Sequence, residues 1–198
     1  ERKKTMELWT IQPVSVYETL MKTGVYHCDG TLSDLLNDDI SNFQNAYHWM
    51  IEQMKERTGM PPDAVSYPVW AWYLRDWKHK KLDLREGGYA ERGTEMVCLT
   101  IEIPEESVLL SDFDAWHFVL NQWYFPRVKT EEEWDEKQTW FESLTKKQRD
   151  QVMKESWNQI FDITPCNEEW DVMGRYVQAT FWELKKEQIK KVQFFKAK

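Results

Sequence analysis

The chain has 198 residues and a formal net charge of −8, with 41% hydrophobic and 30% charged residues. This length predicts one domain with a single core, and this composition excludes a disordered chain or a fibrous repeat. The acidic balance argues against binding of duplex nucleic acid, because that affinity comes mainly from clustered Lys and Arg. No apolar run reaches the ~18 residues that cross a bilayer, so no membrane association is expected.

Three cysteines, Cys28, Cys98 and Cys166, are widely spaced and include no CxxC pair. An odd number at such spacing fits neither a disulfide framework nor a zinc ribbon, and it indicates a reducing compartment. The N-terminus lacks the charged-then-apolar layout of a signal peptide. We therefore expect a cytoplasmic protein with one domain over residues 6–198, preceded by a leader or an expression remnant at residues 1–5.

The first half of the chain opens with a strand signal followed by two helix signals. Residues 7–12 alternate like a half-buried strand, and Pro13 then suits the first turn of a helix that runs to Gly24. A second helix is predicted between Ile40 and Gly59, because apolar residues recur every three or four positions.

Two strands are predicted in the middle of the chain. Residues 67–73, Tyr-Pro-Val-Trp-Ala-Trp-Tyr, are rich in β-formers and place Trp70 and Trp72 on one face. Residues 95–103 alternate between apolar and polar side chains and give the clearest strand signal in the chain.

The second half of the chain carries helix caps and then two closing strands. A short strand at 108–110 is followed by cap residues at 111–114, and Thr130 and Thr145 match the start of capping boxes. Residues 176–182 and 191–195 then read as strands. Together the elements predict an α+β domain with a mixed, mostly antiparallel sheet flanked by helices.

Asp83 and Arg85 are the first candidate site. They project from one face if residues 81–85 are extended, and an Arg fork recognises phosphate or carboxylate in bidentate fashion. A surface Asp–Arg pair explains the same residues equally well.

The polar faces of the first and closing strands are the second candidate. Period two puts Tyr176, Gln178, Thr180 and Trp182 on the face opposite the core, and it puts Thr10 and Gln12 on one face of the first strand. Aromatics mixed with uncharged hydrogen-bonding groups suit a nucleotide-like ligand, while cross-strand packing is the structural alternative.

Asp112, Asp114 and His117 form a third candidate, because a carboxylate and an imidazole three residues apart on a helix face neighbouring directions and could share a metal. Acidic residues at a helix start more often act as caps that complement the helix dipole. No HxxH or HExxH spacing occurs, so no metal is predicted and a metal-dependent hydrolase is the least favoured hypothesis.

Several stretches together resemble a known bacterial family. They are residues 8–12 (Leu-Trp-Thr-Ile-Gln), 68–72 (Pro-Val-Trp-Ala-Trp), 83–85 (Asp-Leu-Arg), 108–117 (Val-Leu-Leu-Ser-Asp-Phe-Asp-Ala-Trp-His), 177–184 and 192–195. The chain is similar over essentially its whole length to the family called domain of unknown function 3841. This family has no assigned activity, so the resemblance does not indicate a reaction.

The order of elements is also similar to the ADP-ribosyltransferase-like fold. In that fold a terminal strand usually supplies a Glu that grips the nicotinamide ribose, and the first strand supplies Arg or His. The matching positions here hold Gln178 and Thr10. Gln can bind a ribose hydroxyl but brings no charge to a developing cation, so the resemblance implies nucleotide binding more than transfer.

Two main functional hypotheses stay open, and so does the question of whether the protein is an enzyme. The first is an NAD-like nucleotide-binding domain or an atypical, degenerate ADP-ribosyltransferase, with Gln178 and Arg85 as its catalytic residues. Its ligand-binding residues would be Trp9, Thr10, Gln12, Trp70, Trp72, Asp83 and Tyr176. The alternative is a non-catalytic regulatory domain whose Trp-rich face binds a protein or a small ligand, since twelve of the residues are Trp.

Overall fold

The computed structural model describes residues 3–28, 41–62 and 67–198. The strands are β1 (Thr5–Pro13), β2 (Val25–His27), β3 (Val69–Arg75), β4 (Glu95–Pro104), β5 (Leu109–Asp112), β6 (Tyr176–Phe181), β7 (Glu183–Lys185) and β8 (Ile189–Lys196). The α-helices are α1 (Val14–Thr23), α2 (Ser41–Thr58), α3 (Phe113–Leu120), α4 (Glu131–Ser143) and α5 (Lys146–Ser156). Short 3-10 helices span Glu105–Ser107, Trp157–Phe161 and Lys186–Gln188.

Six strands form one sheet in the order β5-β6-β3-β1-β4-β8, and β2 pairs with β7 in a second, small sheet. All the pairings described in the two sheets are antiparallel. The predicted α+β class is confirmed, and β1 and β6 share one sheet as expected. The two closing strands are not neighbours, because β8 pairs with β4 while β6 pairs with β3 and β5.

Both faces of the large sheet are covered by apolar side chains. One face carries Leu8, Leu99 and Ala179 and packs against Leu20 of α1. The other face is covered over one part by α2, α3 and the 3-10 helix Trp157–Phe161, and over another part by the loop around Leu82. The polar face predicted for β6 carries Tyr176, Gln178 and Thr180. It is buried at its C-terminal end, because Thr180 is fully enclosed.

The predicted helix starts are present with their caps. The Thr145 hydroxyl and the Gln148 side chain form a complete capping box at α5, and the Thr130 hydroxyl accepts a hydrogen bond from Glu133 N at α4. Asp112 caps α3 by accepting from Ala115 N at 2.8 Å. Within the described part of the chain, no helix is long and apolar enough to cross a membrane.

Gly174 occupies a position that only glycine can fill. Its φ of +77° lies in the left-handed region, and a Cβ there would stand 2.6 Å from the carbonyl oxygen of Ile163. Its N–H also donates to Asp112 Oδ2 at 2.8 Å. The close approach of residues 163–165 to the start of β6 thus depends on the missing side chain.

We expect Gly174→Ala to lower the free energy of unfolding by at least about 2 kcal/mol more than Gly88→Ala, because only the first adds a steric clash. Gly88 has a φ of +92° with nothing within 4 Å of an added Cβ, so the control carries the same backbone penalty. Urea denaturation of both variants measures the difference. Equal losses would show that residues 163–165 yield to the added methyl group.

Candidate functional site

Three of the sequence-predicted residues lie side by side on one face of the sheet. Trp9 pairs with Trp72 across β1 and β3, and Trp72 pairs with Gln178 across β3 and β6. Directly paired residues of an antiparallel sheet point to the same side. Trp9 is buried against Leu82 and Cys98, so little of its ring is available to a ligand in this structure.

Thr10 and Gln12 lie on the opposite face from Gln178. They pair with Leu99 and Val97, which belong to the cluster under α1. Gln12 Nε2 donates to Thr10 Oγ1 at 2.9 Å, and Thr10 Oγ1 donates to the carbonyl of Trp70 at 2.7 Å. The structure does not bring these two polar side chains into one cleft with Gln178, because successive residues of a strand alternate between faces.

Trp70 and Tyr176 have structural neighbours of their own. The Trp70 ring lies 5.3 Å from Trp116 and 5.9 Å from Tyr47, within the helical cluster. The Tyr176 hydroxyl donates a hydrogen bond to Asp76 Oδ1 at 3.0 Å.

Arg85 and Asp83 form a bidentate ion pair on the surface. Arg85 Nε and Nη2 donate to the two oxygens of Asp83 at 2.9 and 2.8 Å, and the Arg85 side chain is 84% exposed. The hydrogen bonds from Arg85 hold the pKa of Asp83 well below its usual range. The guanidinium fork is thus occupied by its own neighbour in the chain.

Asp112, Asp114 and His117 do not converge on a metal position. The Asp112 carboxylate accepts hydrogen bonds from the N–H groups of Ala115 and Gly174. His117 Nδ1 lies 2.9 Å from the carbonyl oxygen of Phe113. Over residues 3–28, 41–62 and 67–198, no group of three or more His, Cys, Asp or Glu side chains could hold a metal ion.

A cavity of about 270 Å³ lies where α3, α4 and the segment before β6 meet, and we call it the first cavity. Its wall combines four aromatic rings with three carboxylates and one guanidinium. The lining residues are Asp112, Asp114, Ala115, Phe118, Phe125, Arg127, Val128, Trp134, Trp170, Asp171, Val172 and Met173. A mainly apolar concavity with a few polar groups is the usual form of a small-ligand site.

Asp112 lines the first cavity and is almost completely buried. Burial raises the pKa of Asp112 to about 6, and the nearby charge of Asp114 adds to this, while the hydrogen bonds from Ala115 N and Gly174 N oppose it. The Asp112 side chain therefore changes its charge near neutral pH. Perturbed carboxyls in clefts are typical of functional sites.

Arg127 joins the two segments that flank the first cavity. Its Nη1 donates to Asp162 at 2.6 Å and its Nε donates to Asp171 at 3.1 Å. Its backbone has a φ of +47°, which is strained for a residue with a side chain. The two ion pairs thus hold a strained backbone in place and neutralise the guanidinium charge.

The aromatic part of the wall is a chain of ring contacts. Phe118 lies 4.7 Å from Phe125 and 6.4 Å from Trp134, and Trp134 lies 6.0 Å from Trp170. Sequence reasoning did not single out Trp134, Trp170, Arg127 or Asp171. One signal was present in the sequence of α4, which places three aromatic residues, Trp134, Trp140 and Phe141, on a strongly acidic helix. The structure shows that none of the residues of this helix is buried.

Residues 7–190 match the family described as Domain of unknown function (DUF3841). The chain belongs to this family. The match covers most of the chain and confirms the resemblance read from the sequence motifs. No curated protein and no solved structure matches this family member. A function for this chain is therefore inferred from the cavity and the surfaces around it.

The raised pKa of Asp112 predicts a pH-dependent loss of stability. Its pKa of about 6 in the folded state exceeds the ordinary value of 3.8, so folding favours the protonated carboxyl. The resulting contribution to the free energy of unfolding is complete below pH 3.8 and is lost as pH rises through 6. Between pH 4 and 7 the wild type should lose up to about 3 kcal/mol relative to Asp112→Asn, which cannot ionise. Urea denaturation across this range measures the difference.

Asp114→Asn serves as the control, since it keeps the titrating group and should retain most of the slope. The variant Asp112→Asn has a constant cost of its own, because its amide would face a backbone N–H. Parallel stability profiles for the wild type and Asp112→Asn would contradict a raised pKa.

Proposed function

We propose that the domain is a small-ligand-binding domain and that its ligand is an organic cation held in the first cavity. The observation that carries this proposal is the combination of four aromatic rings with an unpaired carboxylate. Asp114 is exposed at the cavity and forms no side-chain ion pair or hydrogen bond within the described residues. A cation would gain from both the carboxylate and the rings.

The charges around the first cavity favour a cation over an anion. Three carboxylates and one guanidinium line it, and that guanidinium is already bound by Asp162 and Asp171. The first turn of α4, directly before the lining residue Trp134, also carries Glu131, Glu132 and Glu133. A phosphate would meet repulsion here, because like charges in a partly dry site interact strongly.

The aromatic rings supply the second part of the recognition. A cation within about 6 Å of a ring face is attracted by the ring quadrupole, with Trp the strongest, and the attraction is worth about 0.5–2 kcal/mol. Trp134 and Trp170 both line the first cavity, and Trp170 is 41% exposed. Rings of this kind bind ammonium groups without needing a buried counter-charge.

Benzyltrimethylammonium is expected to bind in titration calorimetry more tightly than benzyl alcohol or phenyl phosphate, because only the first is a cation. Trp170→Ala should weaken this binding several-fold to about 30-fold, in line with the loss of one cation–π contact. Trp140→Ala is the matched control, since Trp140 is 49% exposed on α4 and does not line the first cavity.

Asp114→Asn should weaken binding of the cation and leave binding of benzyl alcohol unchanged, because it removes only charge. Asp135→Asn is its control on the exposed side of α4. Equal binding of the cation and the alcohol by the wild type would show that charge plays no part, and the proposal would then be wrong.

Nucleotide binding is the second candidate, and the row formed by Trp9, Trp72 and Gln178 is the observation in its favour. It would place a base near the partly exposed Trp72 and a ribose near the Gln178 amide. In this hypothesis the Arg85 guanidinium breaks its ion pair with Asp83 and binds the phosphate.

A nucleotide ligand predicts a clear phenotype for Arg85. Arg85→Ala should abolish any shift in melting temperature caused by NAD or ADP-ribose while barely changing the stability of the free protein, because the Arg85–Asp83 pair is exposed. Differential scanning fluorimetry with and without each nucleotide measures both effects. A shift that survives in Arg85→Ala would remove Arg85 from this hypothesis.

A further inference from the structure

A second cavity of about 440 Å³ lies on the other side of the α3–α4 contact. It is lined by Phe118, Gln122, Trp123, Tyr124, Trp134, Gln138, Phe141 and Met153. Phe118 and Trp134 also line the first cavity, so the two spaces adjoin at this ring pair.

The two cavities differ in charge. The lining of the first includes Asp112, Asp114 and Asp171, whereas no charged side chain is among those lining the second within the described part of the chain. The second cavity is walled by aromatic rings and a methionine, with two amides. An ammonium group would thus prefer the first cavity and a hydrocarbon group would prefer the second.

The second cavity opens at the protein surface, where Trp123 of its lining is 57% exposed. Helix α4 forms one wall and buries none of its own residues. It is held there by ring contacts such as Tyr124 stacked on Phe141 at 4.5 Å, with an angle of 11° between the planes. A concavity of this size that is lined by aromatic rings and a methionine can bury a hydrocarbon group.

We infer that the ligand is an amphipathic cation whose ammonium group occupies the first cavity and whose apolar chain occupies the second, passing the Phe118–Trp134 pair. This inference rests on the function proposed above and specifies its ligand class. It accounts for the position of Trp134, which lines both cavities between the acidic and the uncharged groups.

The test is a series of n-alkyltrimethylammonium ions with chains of one to eight carbons, measured by titration calorimetry below their micelle concentrations. Burial of one methylene is worth about 0.8 kcal/mol, so affinity should rise up to about fourfold for each added carbon until the second cavity is full. Tetramethylammonium, the shortest member, reports on the first cavity alone.

Gln138→Trp fills the second cavity from α4. It should flatten the rise of affinity with chain length and leave the affinity for tetramethylammonium unchanged. Thr139→Trp is the matched control, because it adds the same ring at the next, exposed position of α4, outside the lining of either cavity. Retention of the full chain-length effect in Thr139→Trp would support the inference.

The outcomes separate the inference from the function on which it rests. If tetramethylammonium binds but chain length adds nothing, or Gln138→Trp leaves the chain-length effect intact, the bipartite ligand is wrong and cation binding stands. If no member of the series binds, both fail. If the chain-length effect disappears as protein concentration rises and sedimentation shows a dimer, a second copy covers the second cavity and the inference is overturned.

Discussion

The buried carboxylate of Asp112 holds together the segments that form the first cavity. It lies at the end of β5, caps α3 through Ala115 N and accepts a second hydrogen bond from Gly174 N, 62 residues further along the chain. A buried carboxylate without donors would be strongly unfavourable, so both backbone segments are tied to it. The absence of a side chain at Gly174 then lets residues 163–165 approach the start of β6 closely.

This arrangement gives the cavities one deeply buried side and one more exposed side. The β5–α3 junction is fully enclosed, with Ser111 and Asp112 each 1% exposed. Helix α4 on the other side is attached mainly through ring contacts at its surface. Segments with few buried contacts open at low free energy, and ligand sites commonly combine such a segment with a fixed scaffold. The loop between α3 and α4 carries two residues with positive φ, Gln122 and Arg127.

The tryptophans divide into two groups with different roles. Several are packed in the core with the indole N–H bonded to a carbonyl, as when Trp157 donates to Trp123 at 2.7 Å and Trp182 donates to Gly59 at 2.9 Å. Others remain exposed around α4, namely Trp123, Trp140 and Trp170. Exposed indoles gathered on one side mark a recognition surface more than a packing need. The high Trp content of the sequence therefore reflects both a packed core and an exposed aromatic surface.

Local signals accounted for much of the fold. The capping box at Thr145, the N-cap at Asp112 and the alternation of β4 were readable because each depends on residues a few positions apart. The neighbours of the closing strands were not readable, since β8 could pair with any exposed edge of similar length. The site was predicted on a single face of β1 and β6, and the structure separates Thr10 and Gln12 from Gln178 because the pairing register decides which residues share a face.

The sequence by itself determined the α+β class, the family, the starts of the helices and the acidic character of the chain. Periodicity and caps depend on residues that are close together in the sequence, and composition depends on no contact at all. They can therefore be recognised without knowing the tertiary structure. Only the tertiary structure decided that Asp114, Trp134 and Asp171 line one cavity and that Arg127 is neutralised beside them. Those residues come from α3, α4 and the segment before β6. Their meeting depends on long-range packing around Asp112 and Gly174, which no local pattern encodes.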